Sequence, residues 1–373
     1  MTSREDISIP RELLPLDGRF GSGPSKVRPE ALAALSTTYS KLMGTSHRGP
    51  PVRALVARIK KGLAELFSLP EDYDVVLGLG GATSLWDALA FCVIDRRSQH
   101  LVIGEFSARF AAGVAAAPHL EAPELIEAPY GSAARPRASE GVDVHALIHN
   151  ETSTGVCVPV VRVSDDALVV VDATSAAGGM EVDPFAFDVY YFSPQKCLAS
   201  DGGLWVALCS PAAVARIGVV AGRRYVPPSL DLRAALEHSR KDQTYNTPAL
   251  ATLILMLEQI EWTLSSGGLA WASARAEESS SHLYSWAERS SFAAPFVADA
   301  SARSPVVAAI DFDPSVDATV LGRVLRRNGI VDTEPYRKLK RNQLRIGVYP
   351  AVDPADVRRL TQCIDFVVGT MIE

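Results

Sequence analysis

A lysine at the exit of one short apolar strand, and an aspartate ending another about two dozen residues earlier, can hold a pyridine ring between them. The lysine is Lys196, in FDVYYFSPQKCLASDGGLWVAL, and the aspartate is Asp172, which ends the run ALVVVDA. An amine can form a Schiff base with a ring aldehyde, and a carboxylate can pair with the ring nitrogen. At about 4 Å and an effective dielectric near 20, that pairing gains on the order of 4 kcal/mol, roughly three pKa units. The nitrogen then stays protonated and the ring acts as an electron sink. Taken alone, Asp172 reads more readily as a helix N-cap or a solvent-facing acid. Lys196, however, lies between two apolar strands, where burial near a cationic ring drives an amine toward its neutral, nucleophilic form. The pair points to pyridoxal 5'-phosphate as cofactor.

Such a cofactor needs phosphate donors, a ring contact and a substrate anchor. Gly78 to Trp86 (GLGGATSLW) reads as strand, glycines and a helix starting near Ala82 and Thr83, whose free N–H groups suit an anion. The glycine spacing does not meet the dinucleotide-binding pattern. Gln195 can donate to the phosphate from the lysine's own turn. Thr152, in HNETSTG, can reach the ring oxygen or the phosphate. Phe106 can stack on the ring, with core packing as the plainer reading. Asn246 and Thr247, in QTYNTP, offer further phosphate donors at a helix start, with Thr247 as its N-cap and Pro248 in its first turn. His47 and Arg48 sit in the Gly/Pro loop GTSHRGPP, which suits anion binding. Arg345, on the apolar strand of QLRIGVYP, requires an anionic partner, and bidentate carboxylate capture is the usual solution.

The elements that must position these residues alternate. Short apolar strands are predicted at 74–78, 100–104, 146–149, 167–173, 188–192 and 203–209, and helices at 29–42, 52–67, 83–94 and 106–117. That alternation predicts an α/β fold with a mainly parallel sheet covered on both faces, whose ligands bind at the strands' carboxyl ends. A long helix over 248–263 precedes SSGG at 265–268, the best domain boundary. Beyond it come helices at 269–289, 318–327 and 354–368 and strands at 306–312 and 344–349, a smaller α+β unit. The expected division is a large domain over 18–264 and a small one over 265–373, with an N-terminal arm, residues 1–17, packing on the small domain.

Composition bounds the class. At 373 residues, 47% hydrophobic and 21% charged, the chain has ample core for a globular protein. A net charge of −6 argues against general nucleic-acid binding. The apolar runs fall short of the roughly 20 residues a membrane span requires, and the polar start shows no secretory pattern. The five cysteines are scattered with no CxxC pair, which suggests neither a disulfide framework nor a metal site and fits a reducing cytoplasm. Cys197, beside Lys196, reads as a small buried hydrophobe rather than a reactive thiol.

Taken together, GSGPSKVRP, SHRG, GGAT, NETSTG, VVDATS, SPQKCLASDGGLW, TYNTP and LRIGVYPAV resemble the phosphoserine aminotransferases of the actinobacterial type, class V pyridoxal-phosphate enzymes. The likeness runs in order over nearly the whole chain. It implies a fold-type I transferase, a homodimer with sites shared across subunits, and amino transfer between glutamate and 3-phosphohydroxypyruvate. Products would be O-phosphoserine and 2-oxoglutarate, with phosphohydroxythreonine a further candidate substrate. The resemblance makes Lys196 the Schiff-base lysine, Asp172 the ring-nitrogen partner and Phe106 the stacking aromatic, where many relatives have Trp. Ala82, Thr83, Thr152 and Gln195 would contact the cofactor, and Asn246 and Thr247 the phosphate in the other subunit. Arg48 with His47 would take the distal anion of either substrate and Arg345 the α-carboxylate. One departure stands out: many relatives carry a His-Arg pair where this chain has Lys338–Leu339, so Lys338, Lys340 or Arg341 is expected to supply that charge.

The nearest competitor is a related class V aminotransferase acting on alanine, serine or glyoxylate, which has no need of so many distal cations. A cysteine desulfurase requires a nucleophilic cysteine on a mobile loop, whereas Cys363 falls in a predicted helix. A nicotinamide-dependent oxidoreductase, or a non-catalytic scaffold, leaves Lys196 and Asp172 idle.

Overall fold

The computed structural model describes residues 6–372. Strands β1 (Asp74–Leu79), β2 (Ser98–Val102), β3 (Glu124–Glu127) and β4 (Val144–Ile148) are followed by a small hairpin, β5 (Asn150–Glu151) and β6 (Val156–Cys157). Next come β7 (Leu168–Asp172), β8 (Val189–Phe192) and β9 (Leu204–Cys209). A seven-stranded sheet runs in the order β1-β9-β8-β7-β4-β2-β3. Only β9 opposes its neighbours; every other pairing is parallel.

The strand sequences explain the burial on both faces. In β7, Val169 and Val171 enter one apolar cluster while Leu168 and Val170 enter another; β8 splits likewise into Tyr190 and Phe192 against Val189 and Tyr191. Strands apolar at every position need cover on both sides, which helices supply. These are α1 (Pro29–Ser36), α2 (Pro50–Leu66), α3 (Ala82–Cys92), α4 (Glu105–Ala115), α5 (Pro211–Arg223), α6 (Leu232–Arg240) and α7 (Leu250–Ser265).

After Ser265 the pattern changes. Helix α8 (Gly268–Arg289), strands β10 (Ala293–Pro295) and β11 (Val307–Phe312), helix α9 (Ala318–Arg327), strand β12 (Gln343–Gly347) and helix α10 (Pro354–Ile372) build a three-stranded antiparallel sheet with its own apolar cluster. The N-terminal segment lies on it. Ile9 N–H donates to Asn328 Oδ1 at 2.9 Å, Leu16 N–H to Asp356 Oδ1 at 2.7 Å, and Phe20 joins the same cluster. Those contacts run past residue 17, since Gly347 N–H reaches the Phe20 carbonyl at 2.8 Å.

Several helices differ from expectation. Helix α1 stops at Ser36 rather than near Leu42, because hydroxyls there bond the backbone instead: Ser36 Oγ and Thr37 Oγ1 both donate to the Ala33 carbonyl, at 3.0 and 2.7 Å. Helix α7 begins at Leu250 with Ala249 at its N-cap, so Thr247 caps nothing; Pro248 is buried and the chain stays extended through Ala249. Helices α5 and α6 lie where no helix was expected, each started by a side-chain cap: Ser210 accepts from Ala213 N–H and Asp231 from Arg233 N–H.

Candidate active site

Strands β4, β7 and β8 end at one place, and a cavity of about 400 Å³ opens there, reached also by the turn after β1 and by β12. Lys196 enters it from the turn after β8. That strand ends at Phe192, and the turn after it is pinned from the N-terminal loop: Ser25 N–H donates to the Gln195 carbonyl at 2.8 Å, and Ser25 Oγ to the Lys196 carbonyl at 2.6 Å. Gly23 lets the lysine stem pass, for a Cβ there would stand 2.7 Å from Lys196 Cε at a φ of +136°. Burial pushes the Lys196 amine down to about 8; Asp172 opposes that shift and Arg345 adds to it. Nζ donates to Thr152 Oγ1 at 2.7 Å and lies 5.2 Å from the centre of the Phe106 ring.

Asp172 is the last residue of β7, on the sheet face it shares with Leu168 and Val170. Its Oδ1 accepts from Thr174 N–H at 2.9 Å and its Oδ2 from Trp86 Nε1 at 3.3 Å. Phe106 is set by a buried carboxylate beneath it. Glu151 accepts from Ser107 N–H at 3.0 Å and Ser107 Oγ at 2.9 Å, satisfying free donors at the start of α4.

The turn between β1 and α3 delivers Ala82 and Thr83 to the cavity wall. Gly80 and Gly81 have φ of +103° and +78°, and Gly81 at the N-cap has no side chain with which to cap α3. A helix start beside glycines favours an anion by backbone donors and dipole together. Ala82 N–H bonds Ser193 Oγ at 2.7 Å, tying this turn to the one that carries Lys196.

Arg345 arrives from β12. Its Nη1 donates to the Thr152 carbonyl at 3.0 Å, its Nε is buried with no partner, and its guanidinium carbon lies 5.3 Å from the Tyr336 ring centre. Among the described residues no carboxylate pairs with it, and burial lowers its pKa. A buried guanidinium without a counter-ion is an anion receptor.

Of the residues singled out from sequence, Lys196, Asp172, Ala82, Thr83, Phe106, Thr152, Gln195 and Arg345 line this one cavity. His47, Arg48, Asn246 and Thr247 do not. They gather elsewhere in the chain: His47 Nδ1 bonds Thr247 Oγ1 at 3.3 Å, and Arg48 Nη1 donates to Gln243 Oε1 at 2.9 Å. Lys338 and Arg341 do not line the cavity either, and each is paired with an acid, Glu105 and Asp311. Sequence reasoning assigned no role to Trp86, Ser22, Asn150, Ser193 or Tyr336, which also line the cavity. Ser193 and Asn150 stand within motifs already noted, SPQK and HNETSTG; nothing local marks Tyr336.

The family of class-V aminotransferases matches residues 19–360. The chain belongs to the class-V aminotransferases. It is 58% identical over 367 residues to a phosphoserine aminotransferase of Nocardioides sp., covering 97% of this chain and 98% of that protein. A crystal structure of a phosphoserine aminotransferase from Cytophaga hutchinsonii superposes with a TM-score of 0.85 at 25% identity, over 94% of this chain and 99% of that one. A pyridoxamine-pyruvate aminotransferase from Mesorhizobium loti reaches a TM-score of 0.83 at 20% identity, over 98% and 95%, and shares the fold alone. This class-V aminotransferase is therefore a fold-type I enzyme that uses pyridoxal 5'-phosphate, and the nicotinamide and scaffold readings fall away.

The cavity's chemistry fits that group. Ser22 Oγ, Asn150 Oδ1, Thr174 Oγ1, Gln195 Oε1 and Arg345 Nε are buried without partners, and all five residues line it. Leaving a buried polar atom unsatisfied costs about 1–3 kcal/mol, so the set calls for a polar occupant. The α3 start with Gln195 suits a phosphate, Asp172 a ring nitrogen, and Lys196 an aldehyde.

Proposed function

We propose that this aminotransferase is a phosphoserine aminotransferase, moving an amino group reversibly between L-glutamate and 3-phosphohydroxypyruvate to give O-phospho-L-serine and 2-oxoglutarate. One observation carries the chemistry: a buried amine with a lowered pKa shares its cavity with a fixed carboxylate and an unpaired guanidinium. Full-length identity of 58% to the Nocardioides enzyme supports the choice of substrate.

When bound, the cofactor supplies an aldehyde that carries the amino group and a ring that withdraws electrons. The protein supplies the rest. Asp172, held at both oxygens, would pair with the ring nitrogen. Lys196 Nζ, neutral in an appreciable fraction near neutral pH, would carry the proton from the substrate Cα to the cofactor's aldehyde-derived carbon in one half-reaction and back to Cα in the other. Arg345 binds the α-carboxylate common to amino donor and keto acceptor, which fixes Cα beside Nζ. Phe106 and Tyr336, with ring centres 5.9 Å apart, wall the cavity and exclude water.

The remaining site residues complete the proposal. His47 and Arg48, with Asn246 and Thr247, would serve the cavity of a second subunit in a homodimer, Arg48 taking the distal phosphate or carboxylate. Their absence from the lining of this chain's own cavity, with His47 bonded to Thr247, supports that assignment. The division at 264/265, a cytoplasmic location, a place in serine biosynthesis and activity on 4-phosphohydroxy-L-threonine for vitamin B6 synthesis belong to the same reading. Among the described residues no helix is long and apolar enough to cross a membrane.

Steady-state comparison of acceptors, with glutamate as donor, tests it. 3-Phosphohydroxypyruvate is expected to exceed pyruvate and glyoxylate in kcat/KM by at least about tenfold, the lower end of what one absent hydrogen bond to a charged group costs. Equal use of glyoxylate would favour the alanine/serine/glyoxylate competitor.

A further inference from the structure

Helix α3 does two things at once. Its first residues, Ala82 and Thr83, line the cavity, and one turn further on Trp86 turns its indole to Asp172. Positions four apart on a helix lie on one face, so a single rigid element faces both the phosphate cradle and the carboxylate. The indole is packed against its neighbours. It is buried, stacked on Phe110 at 5.8 Å between ring centres and 18° between planes, with the Arg109 guanidinium carbon 5.8 Å from its ring centre. Tyr191, directly across the ladder from Asp172, adds a buried hydroxyl without a partner. Burial, with the charge of Asp172 next, holds that hydroxyl protonated well above the usual phenol range.

We infer that Trp86 is a positioning residue of this enzyme: its indole N–H fixes Asp172 Oδ2, while Thr174 N–H fixes Oδ1, so that the carboxylate faces the cofactor's ring nitrogen. This rests on the pyridoxal-phosphate reading above. A carboxylate free to rotate about its terminal torsion spends part of its time aimed elsewhere, and that torsion is soft. Two donors on two different oxygens remove the freedom. The indole thereby acts on the ring through Asp172, and its contribution vanishes when the ring offers no basic nitrogen.

That condition supplies the experiment. Binding of pyridoxal 5'-phosphate and of its 1-deaza analogue, which carries C–H in place of the ring nitrogen, is measured by equilibrium dialysis on wild-type apoenzyme and on Trp86→Phe. Phe keeps an aromatic ring against Phe110 and loses the donor. The variant is expected to bind pyridoxal 5'-phosphate about tenfold more weakly, the scale of one hydrogen bond to a charged group, and the deaza analogue unchanged. Equal weakening of both ligands would mean general disturbance of the pocket, and no weakening would mean an idle indole; either overturns the inference. If Trp86→Phe does not fold, the Trp86 indole N–H resonance of 15N-labelled wild type decides. It should shift on loading with pyridoxal 5'-phosphate more than with the analogue, and identical shifts refute the role. Wild type that retains neither ligand sinks the proposed function itself, a result distinct from all of these.

Discussion

The Thr152 hydroxyl accepts a hydrogen bond from the Lys196 amine at 2.7 Å, while the Thr152 carbonyl accepts one from Arg345 Nη1 at 3.0 Å. One residue of the β5–β6 hairpin thus sets the spacing between the group assigned to proton transfer and the group assigned to the substrate carboxylate. The hydroxyl is anchored in turn, since Oγ1 donates to Ser175 Oγ at 2.9 Å.

Thr152→Val keeps the shape and the carbonyl but removes the acceptor. We expect kcat to fall about tenfold with a smaller change in KM, since hydrogen bonds to charged groups are worth about 1.5–3 kcal/mol. Thr152→Ser should restore most of the rate. Steady-state kinetics on the three proteins checks this, and an unchanged kcat in the Val variant would remove Thr152 from the chemistry.

The amine of Lys196 sits at about 8 instead of its ordinary 10.5, chiefly through burial. Only the neutral amine attacks an aldehyde, so the rate of cofactor loading onto apoenzyme should rise with pH and level off near 8 rather than near 10.5. The sign for stability follows from the same shift. Between those two values the folded apoenzyme holds fewer protons than the unfolded chain, so this lysine makes stability rise with pH across that window. Lys196→Met should flatten both the loading rate and that part of the stability curve; stopped-flow absorbance and denaturant titration at several pH values read them.

Gly23→Ala places a methyl 2.7 Å from Lys196 Cε in a conformation that L side chains rarely adopt. Strain of this kind costs about 1–3 kcal/mol. The variant is expected to melt several degrees lower and to load cofactor more slowly, because relief comes most easily by displacing the lysine stem. Normal loading with a normal melting temperature would show that the N-terminal loop does not gate Lys196.

Arg48 and Lys338 separate the two sources of distal charge. Lys338 is paired with Glu105, whereas the Arg48 guanidinium donates to the neutral amide of Gln243. Arg48→Ala is expected to raise KM for 3-phosphohydroxypyruvate and for glutamate alike, by about tenfold or more. Lys338→Ala should change either by less than about threefold, the scale of an exposed ion pair. A large, phosphate-specific effect of Lys338→Ala would make Lys338 a source of that charge.

Much of the fold was legible in the chain. The runs VVLGL, LVVVD and LWVALC announce strands buried on both sides, and the structure aligns them in one sheet. Helix α9 matches its expected bounds, Ala318–Arg327, because Asp317 caps it and its apolar residues repeat at helical spacing. Helices α5 and α6 went unread although each carries a start signal, Ser210 before Pro211 and Asp231 before Leu232. In PAAVARIGVVAGR, Val, Ile and Gly dilute the helix preference of the alanines, and packing against α3 adds to it.

The site divides along a similar line. Motif chemistry alone marks Lys196, Asp172, the Gly80–Thr83 turn and Arg345, because each places a reactive or charged group on an apolar strand or where one has just ended. Ordering along the chain says nothing about which side chains face each other across it. Whether Trp86 meets Asp172 depends on the register of α3 against β7, and whether Tyr336 walls the cavity depends on how the loop before β12 folds back. The pairing of Lys338 with Glu105 spans 233 positions, a contact that only packing between the two sheets could bring about. Sequence determines what each group can do; the fold determines which groups share a low-dielectric space, and there charge, burial and hydrogen bonding act on one another.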